Sequence, residues 1–226
     1  MTEELEQKIG TNFINKELLT TALTHRSYLN ENTSWHFDHN ERLEFLGDAV
    51  LELIVTEYLY LNYSNPEGEM TNWRAALVNS VMLAKVAGKI DLNNHLLLSR
   101  GEAKDTGRAR QYILANAVEA IIGALYLDQG YEAAKKFIMT FVIDELPGIF
   151  EEKSYRDPKS RFQEEAQERV GATPSYHVLE EWGPDHAKHF KVGVYIDREL
   201  IGSGTGASKQ EAQQSAADDA LAKKDW

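Results

Sequence analysis

The chain has 226 residues, a length that suits two domains, and its 42% hydrophobic and 27% charged composition is that of a globular protein, which excludes disordered and fibrous classes. It contains no cysteine, which excludes disulfide frameworks, thiolate zinc sites and cysteine nucleophiles and fits a reducing compartment. The net charge of −12 argues against a nucleic-acid partner, unless the acids are gathered to hold a divalent metal.

The N-terminal residues and the most apolar stretch decide the expected location. The first seven residues, Met-Thr-Glu-Glu-Leu-Glu-Gln, are acidic and lack the basic-then-apolar pattern of a signal peptide. The stretch 49–63 contains Glu52 and Glu57, which excludes it as a membrane span. We therefore expect a soluble, cytoplasmic protein with no membrane partner.

Residues 1–150 have the periodicity of helices. Apolar side chains recur at helical spacing, and no alternating strand pattern interrupts them. The spacing predicts an all-α domain whose helices cover 15–23, 40–63, 71–89, 112–128 and 131–145, the last ending before Pro147-Gly148.

The pattern changes after residue 150. The charged stretch 151–159 predicts a hinge, and residues 160–226 then read as helix, three strands and helix. This order predicts a small α+β (α-β-β-β-α) domain with helices at 160–169 and 207–223 and strands at 176–180, 190–196 and 200–205.

Acidic residues share one face of the helix at 40–63. Glu41, Glu44 and Asp48 fall within about 60° around the helix axis, a spacing that an ordinary solvated face would also show. Asn116 and Glu119 form a second polar pair on a nearly apolar helix. Two helices presenting oxygen ligands favour a Mg²⁺ site. A di-iron site is disfavoured because neither Glu44 nor Glu119 begins a Glu-x-x-His motif.

The run at 40–50, Asn-Glu-Arg-Leu-Glu-Phe-Leu-Gly-Asp-Ala-Val, resembles the signature of bacterial ribonuclease III. The resemblance extends to the runs at 22–27, 67–79 and 115–130. It implies a homodimeric endoribonuclease that uses Mg²⁺, with Mn²⁺ as a substitute, to hydrolyse double-stranded RNA to 5′-phosphate and 3′-hydroxyl ends. Processing of ribosomal RNA and of structured messenger RNA is the implied role.

The resemblance also implies roles for individual residues in a valley shared by the two subunits. The implied metal ligands are Glu44, Asp48, Asn116 and Glu119, of which Asp48 and Glu119 are the catalytic pair. Glu41 and Glu67 match accessory acidic positions in the same valley. Phe45 matches an aromatic residue that inserts into the partner at the dimer interface, although an ordinary core phenylalanine fits the sequence equally.

Asn116 stands where the family usually has aspartate. An amide oxygen can ligate Mg²⁺ but brings no negative charge, so we expect a weakened metal site. The alternative is a cleavage-deficient protein that binds double-stranded RNA without cutting it. Lys104, Arg108 and Arg110 are expected to form a basic loop before this helix, either contacting phosphate or simply solvated. His25 is expected to be a packed, hydrogen-bonded histidine.

Residues 160–226 resemble a double-stranded RNA-binding domain. The resemblance implies three RNA-contacting segments: the first helix, the loop at 183–186, and the start of the last helix, where Ser208 is expected to be the N-cap. Acidic residues outnumber basic ones by four after residue 150, which predicts weak, salt-dependent RNA binding. The implied RNA-binding residues are Ser160, Gln163, Glu164, His186, Lys188, Ser208 and Lys209.

Overall fold

The computed structural model describes residues 2–152, 158–184 and 188–226. They form two compact units, Met1–Tyr155 and Arg156–Trp226, and residues 153–157 of the expected hinge lie outside the described residues. The helices of the first unit are α1 (Thr2–Ile9), α2 (Lys16–Leu23), α3 (Arg26–Glu31), α4 (Glu41–Asn62), α5 (Glu67–Val78), α6 (Ser80–Lys89), α7 (Arg108–Gln129), α8 (Tyr131–Phe141) and α9 (Leu146–Glu152). The second unit contains α10 (Pro158–Val170), β1 (Ser175–Trp182), β2 (His189–Ile196), β3 (Glu199–Gly206) and α11 (Lys209–Lys224).

Helices α4 and α7 form the centre of the first unit and make its most extensive helix–helix contact. Helix α4 buries Leu43, Val50 and Ile54, as its periodicity predicts, and also buries Leu51 and Val55. Leu53, which the apolar spacing places in the same stripe, is 58% exposed, so this part of the prediction is wrong: the residue lies about 100° around the helix axis from Ile54, outside the buried face. Helix α7 is mostly buried between residues 115 and 125, a stretch rich in small residues such as Ala117 and Ala120, both fully buried. The acidic segments of the sequence therefore lie on two helices that pack against each other.

Two glycines allow α4 and α7 to touch through their backbones. A Cβ atom added to Gly47 would lie 1.8 Å from the carbonyl oxygen of Glu119. A Cβ atom on Gly123 would lie 2.3 Å from the carbonyl oxygen of Leu43. Real Cβ contacts are never this short, so any other residue at either position would force the two helices apart.

The single helix predicted over 71–89 is wrong, because Asn79 divides it into α5 and α6. The backbone of Asn79 is extended (ψ 161°), and its side-chain oxygen accepts a hydrogen bond from the Met82 amide at 2.9 Å. Its side-chain nitrogen donates to the carbonyls of Ala75 and Ala76. One asparagine thus caps both helices, while the apolar spacing continues across the break and conceals it.

The end predicted for the helix at 131–145 is also wrong. Helix α8 ends at Phe141, and a 3₁₀ turn covers Ile143–Glu145. Pro147-Gly148, the pair expected to follow the end of the helix, lies inside α9. Pro147 lies in the first turn of α9, where no intrahelical partner exists for a backbone N–H. A proline that begins one helix was therefore misread as the end of another.

Two short helices, α1 and α3, were not predicted. Helix α1 buries Leu5 and Ile9 in the core of the first unit. Helix α3 is capped by His25, whose Nδ1 lies 2.8 Å from the hydroxyl oxygen of Ser27 and accepts from the Ser27 amide. The hydrogen-bonded, structural role expected of His25 is confirmed.

The second unit has the predicted α-β-β-β-α order. Its sheet is an antiparallel meander, β1-β2-β3, with its own core built on Phe162, Val192 and Val194. Helices α10 and α11 pack together, and α11 lies close against β2 and β3. Among the described residues of both units, no helix is long and apolar enough to cross a membrane.

Candidate active site and RNA-binding surfaces

An open pocket of about 410 Å³ lies where α4 meets α7. Helix α4 contributes most of its lining and α7 contributes Glu119, which the close glycine contact brings next to α4. The lining residues are Glu41, Glu44, Phe45, Asp48 and Glu119. The structure thus brings together acids that are about 70 residues apart in the sequence.

The carboxyl group of Glu119 is half-buried and surrounded by like charges. Burial, which has the largest effect, and the charges of Asp48 and Glu44 together raise its pKa to about 8. None of the ion pairs formed by the described residues includes Glu44, Asp48 or Glu119. These three carboxyl groups therefore lie close together without a cationic side chain from the described residues to offset them.

Asn116 lies beside this pocket and contacts Glu44. Burial raises the pKa of Glu44, the charges of Glu41 and Asp48 add to the rise, and a side-chain hydrogen bond with Asn116 lowers it. The amide group donates this bond to the carboxylate, which an ionised aspartate could not do. Asn116 therefore stabilises the charged form of Glu44 in the absence of a cation.

The two accessory acids lie in different places. Glu41 is in the pocket, and its carboxylate lies 3.4 Å from the guanidinium of Arg26. Arg26 was not singled out from the sequence, although it belongs to the run at 22–27 that carries part of the resemblance. Glu67, at the start of α5, lines a different pocket together with Met70 and Arg74. Within one chain, Glu67 does not join the carboxylate pocket.

The expected basic loop is wrong for two of its three residues. Arg108 and Arg110 lie in the first turn of α7, and only Lys104 precedes it, in a 3₁₀ turn. Arg110 is 9% exposed, and its side chain donates to the side-chain oxygen of Asn93 at 2.7 Å and to the carbonyl of Glu102 at 3.4 Å. Arg110 therefore anchors the preceding turn and does not present its charge to solvent.

Phe45 projects from α4 at the edge of the carboxylate pocket with 82% of its surface exposed. This exposure excludes the core role that the sequence left open for it. A second cavity of about 710 Å³ lies beside Phe45 and has apolar walls, to which Leu18, Leu43 and Leu127 contribute. A large exposed aromatic side chain next to an apolar cavity is typical of a surface that is covered by a partner.

Three of the expected RNA-binding residues share one surface of the second unit. Ser160 and Gln163 from α10 and Lys209 from α11 line a common pocket of about 620 Å³. Glu164 lines a neighbouring pocket together with Gln163. The Lys188 ammonium forms an ion pair with Glu181 at 3.0 Å. His186 lies outside the described residues.

The predicted N-cap of α11 is confirmed. The Ser208 hydroxyl accepts a hydrogen bond from the Glu211 amide at 3.1 Å, and the Glu211 carboxylate accepts one from the Ala207 amide at 2.9 Å. This reciprocal pair is a capping box. It uses two of the amide groups near the helix start, so the Lys209 side chain is the main positive group that this end of α11 presents.

Comparison with known proteins gives the same division of the chain. Residues 15–146 match the family profile described as ribonuclease-III-like, and residues 158–224 match the double-stranded RNA binding motif. The chain is similar to ribonuclease 3 of Natranaerobius thermophilus, with 46% identity over 95% of this chain and 92% of the relative. It is similar to ribonuclease 3 of Enterococcus faecalis, with 44% identity over 98% and 96%.

A solved structure resembles the first unit. It is the nuclease domain of ribonuclease III from Campylobacter jejuni, which matches with a TM-score of 0.59 and 41% identity. The match covers 65% of this chain and 99% of that chain. The description of that structure refers to flexibility in a region involved in dimer formation of that protein.

Proposed function

Since this chain belongs to the ribonuclease III family and is an endoribonuclease with a double-stranded RNA-binding motif, we propose that it cuts duplex RNA by divalent-metal-dependent phosphodiester hydrolysis. One observation carries the proposal: carboxylates from α4 and α7 line a single open pocket, and three of them, Glu44, Asp48 and Glu119, form no ion pair with a described residue. Asp48 and Glu119 are the proposed catalytic pair, with Glu44 and Asn116 as further metal ligands.

The donor atoms of this pocket fit Mg²⁺, with Mn²⁺ as a substitute. Three carboxylates and one amide provide only oxygen ligands, which hard divalent cations prefer. Burial and the charges of Asp48 and Glu44 raise the pKa of Glu119, and a divalent cation bound here would oppose that rise by favouring the ionised carboxylate. When bound, a divalent cation supplies charge to the scissile phosphate and lowers the pKa of a water molecule that becomes the nucleophile.

The side chains of the pocket prepare this binding in different ways. Glu119 is largely protonated at neutral pH in the metal-free protein and must release its proton to bind a cation. Glu44 is held as a carboxylate acceptor by the hydrogen bond with Asn116. Glu41 is already paired with Arg26, which leaves it an accessory role beside the ligands.

The second unit is proposed to hold the duplex. Ser160 and Gln163 offer a hydroxyl and an amide that suit ribose 2′-hydroxyls, and Lys209 offers a charge that suits a phosphate in the same pocket. Glu164, Lys188, Ser208 and His186 complete the proposed RNA-binding set. We further propose that the chain acts as a homodimer, that its products carry 5′-phosphate and 3′-hydroxyl ends, and that ribosomal and structured messenger RNA are its substrates.

Cleavage of a long double-stranded RNA by carboxylate variants tests the metal site. We expect cutting in Mg²⁺ and in Mn²⁺ by the unmodified chain, and loss of cutting with retained RNA binding in Asp48→Asn and Glu119→Gln. Glu17→Gln, which removes an exposed carboxylate of α2, serves as the matched control and should cut normally. Undiminished cutting by both pocket variants would show that these carboxylates are not the metal ligands.

Asn116→Asp, assayed beside the unmodified chain, tests the weakened fourth ligand. The added negative charge should lower the Mg²⁺ concentration needed for half-maximal cutting about tenfold, since an amide contributes no charge to the bound cation. If the aspartate variant cuts and the unmodified chain does not, the cleavage-deficient alternative is correct. No observation on the described residues supports that alternative. End-labelling of the products with and without prior phosphatase treatment tests for the proposed 5′-phosphate. If the products carry it, their 5′ ends should be labelled only after the phosphatase has removed it.

A further inference from the structure

We propose that the first unit holds a second cation site, separate from the carboxylate pocket and formed by Glu4, Asp91 and His95, which binds a divalent transition metal best matched by Zn²⁺. One ligand atom from each of the three side chains lies within 4.8 Å of the other two. No other three histidine or acidic side chains in residues 2–152, 158–184 and 188–226 approach one another as closely. None of the proposed catalytic ligands belongs to this group of three side chains.

His95 provides an independent indication of a missing ligand. Its side chain is 3% exposed, and neither ring nitrogen has a hydrogen-bond partner among the described residues. A buried imidazole normally satisfies both nitrogens, because an unpaired polar group in the protein interior loses its hydration without compensation. Bonding to a metal ion satisfies one of these nitrogens directly, and imidazole is the commonest protein ligand for such ions.

The backbone holds the three ligands from two distant segments. Asp91 follows α6 in a left-handed conformation (φ 55°), which turns the chain into the 3₁₀ turn Leu92–Asn94, and His95 ends that turn. Glu4 comes from α1, more than 80 residues earlier in the chain. A metal bound to all three would therefore fasten α1 to the turn that follows α6.

The Lys8 ammonium lies between the carboxylates of Glu4 and Asp91, where the proposed metal ion would bind. Its ammonium nitrogen lies 3.0 Å from the Glu4 carboxylate and 2.9 Å from that of Asp91. The ammonium lowers the pKa of both acids, so each is ready to bind as a carboxylate. Because ion pairs at exposed side chains are weak, a divalent ion can displace this ammonium at little cost. Lys8 is thus a built-in competitor of the metal.

The donor set separates this site from the carboxylate pocket. One imidazole and two carboxylates match Zn²⁺, which takes nitrogen and oxygen ligands in a four-coordinate site, with water at the remaining position. Mg²⁺ strongly prefers oxygen ligands alone. Excess Mg²⁺ should therefore fill the carboxylate pocket and leave the mixed site free for Zn²⁺.

Calorimetric titration of Zn²⁺ into the full-length protein in excess Mg²⁺ tests the proposal. We expect one Zn²⁺ per chain, with an affinity that falls about 10–100-fold or more in Asp91→Asn and in His95→Gln. Asparagine tolerates the left-handed backbone of position 91, so Asp91→Asn keeps the fold even if His95→Gln does not. His177→Gln, which removes an exposed histidine of β1, is the matched control and should bind Zn²⁺ normally.

Lys8→Ala gives the opposite and more telling result. Removing the competing ammonium should raise the Zn²⁺ affinity several-fold while leaving cleavage in Mg²⁺ unchanged. Hydrogen exchange at the amides of α1 should also slow when Zn²⁺ is added to the unmodified chain. The proposal fails if the unmodified chain binds no Zn²⁺ in excess Mg²⁺, if Asp91→Asn binds it undiminished, or if Lys8→Ala does not strengthen binding.

Discussion

At position 119 a carboxyl group lies half-buried on α7 and faces the acids of α4. The sequence identifies Glu119 as a candidate ligand because it is a polar residue on an apolar helix. Its raised pKa could not be read from that spacing, since the shift depends first on how deeply the helix pair buries the group and then on the distance to Asp48 and Glu44. The same limit applies to Asn116, whose hydrogen bond with Glu44 joins two helices.

The shift of Glu119 predicts how the stability of the metal-free protein depends on pH. The folded-state pKa, about 8, lies above the ordinary value of 4.5, so the folded state binds more protons than the unfolded state between these values. The free energy of unfolding should therefore fall as pH rises through this window and level off above it. Urea unfolding at a series of pH values, with chelator present, measures this slope.

Glu119→Gln should remove most of this slope, leaving the smaller contribution of Glu44, whose pKa is shifted in the same direction. At pH 8 the variant should be more stable than the unmodified chain by about 2 kcal/mol, after the full shift is discounted for partial exposure. Glu17→Gln, on the exposed face of α2, should keep the original slope. An unchanged slope in Glu119→Gln would contradict the assignment of the titration to this residue.

At the scale of elements, the pocket depends on how closely α4 and α7 approach. The apolar periodicity predicts both helices and part of the buried face of α4, although it wrongly includes the exposed Leu53 in that face. The presence of Gly47 in α4 already suggests that something comes near its backbone. The identity of that neighbour, the Glu119 carbonyl, required the structure. The helix boundaries at Asn79 and Pro147 were the least predictable features. Each is set by one residue, and the apolar spacing around that residue continues unchanged.

Gly47→Ala should separate the two helices, because the new methyl group would meet the Glu119 carbonyl oxygen at 1.8 Å. Such overpacking typically costs about 1–3 kcal/mol in the free energy of unfolding. It should also abolish most RNA cleavage, since Glu119 moves relative to Asp48. Thermal unfolding and the cleavage assay measure the two effects together.

Gly88→Ala is the control for that substitution. Gly88 lies in α6 with no atom within 4 Å of an added Cβ, so alanine should keep activity and add up to about 1 kcal/mol of stability. Equal behaviour of the two variants would show that close packing at Gly47 is unimportant for the site.

At the scale of the whole molecule, two units with separate cores share a chain of net charge −12. The acidic composition alone argues against a nucleic-acid partner. Only the positions of particular residues support RNA as a partner. Acids such as Asp48 and Glu119 gather in one pocket, while Lys209 lies beside Ser160 in another. The order of the two folds was predictable from residue patterns, whereas the position of Glu67 outside the carboxylate pocket was not.

Phe45→Ala should weaken the dimerisation that we propose for the full-length chain. The side chain is 82% exposed beside an apolar cavity, and an aromatic anchor of this kind contributes about 2 kcal/mol or more at an interface. Because a homodimer of the variant loses this side chain from both subunits, sedimentation equilibrium should show a dissociation constant higher by about 30-fold at the least. Ile14→Ala, which removes an apolar side chain that is 80% exposed, is the matched control and should leave the constant unchanged. Identical association of Phe45→Ala and the unmodified chain would remove Phe45 from the interface.

The backbone contact between α4 and α7 also has a genetic consequence. Every single-nucleotide missense change in a glycine codon gives a residue with a Cβ atom, and at positions 47 and 123 that atom would collide with a main-chain oxygen of the facing helix. Neither glycine has a side chain with which to touch RNA or metal, yet no amino-acid replacement at either position avoids the collision. The spacing of the acids thus depends on two codons in which only synonymous changes leave the helix contact intact.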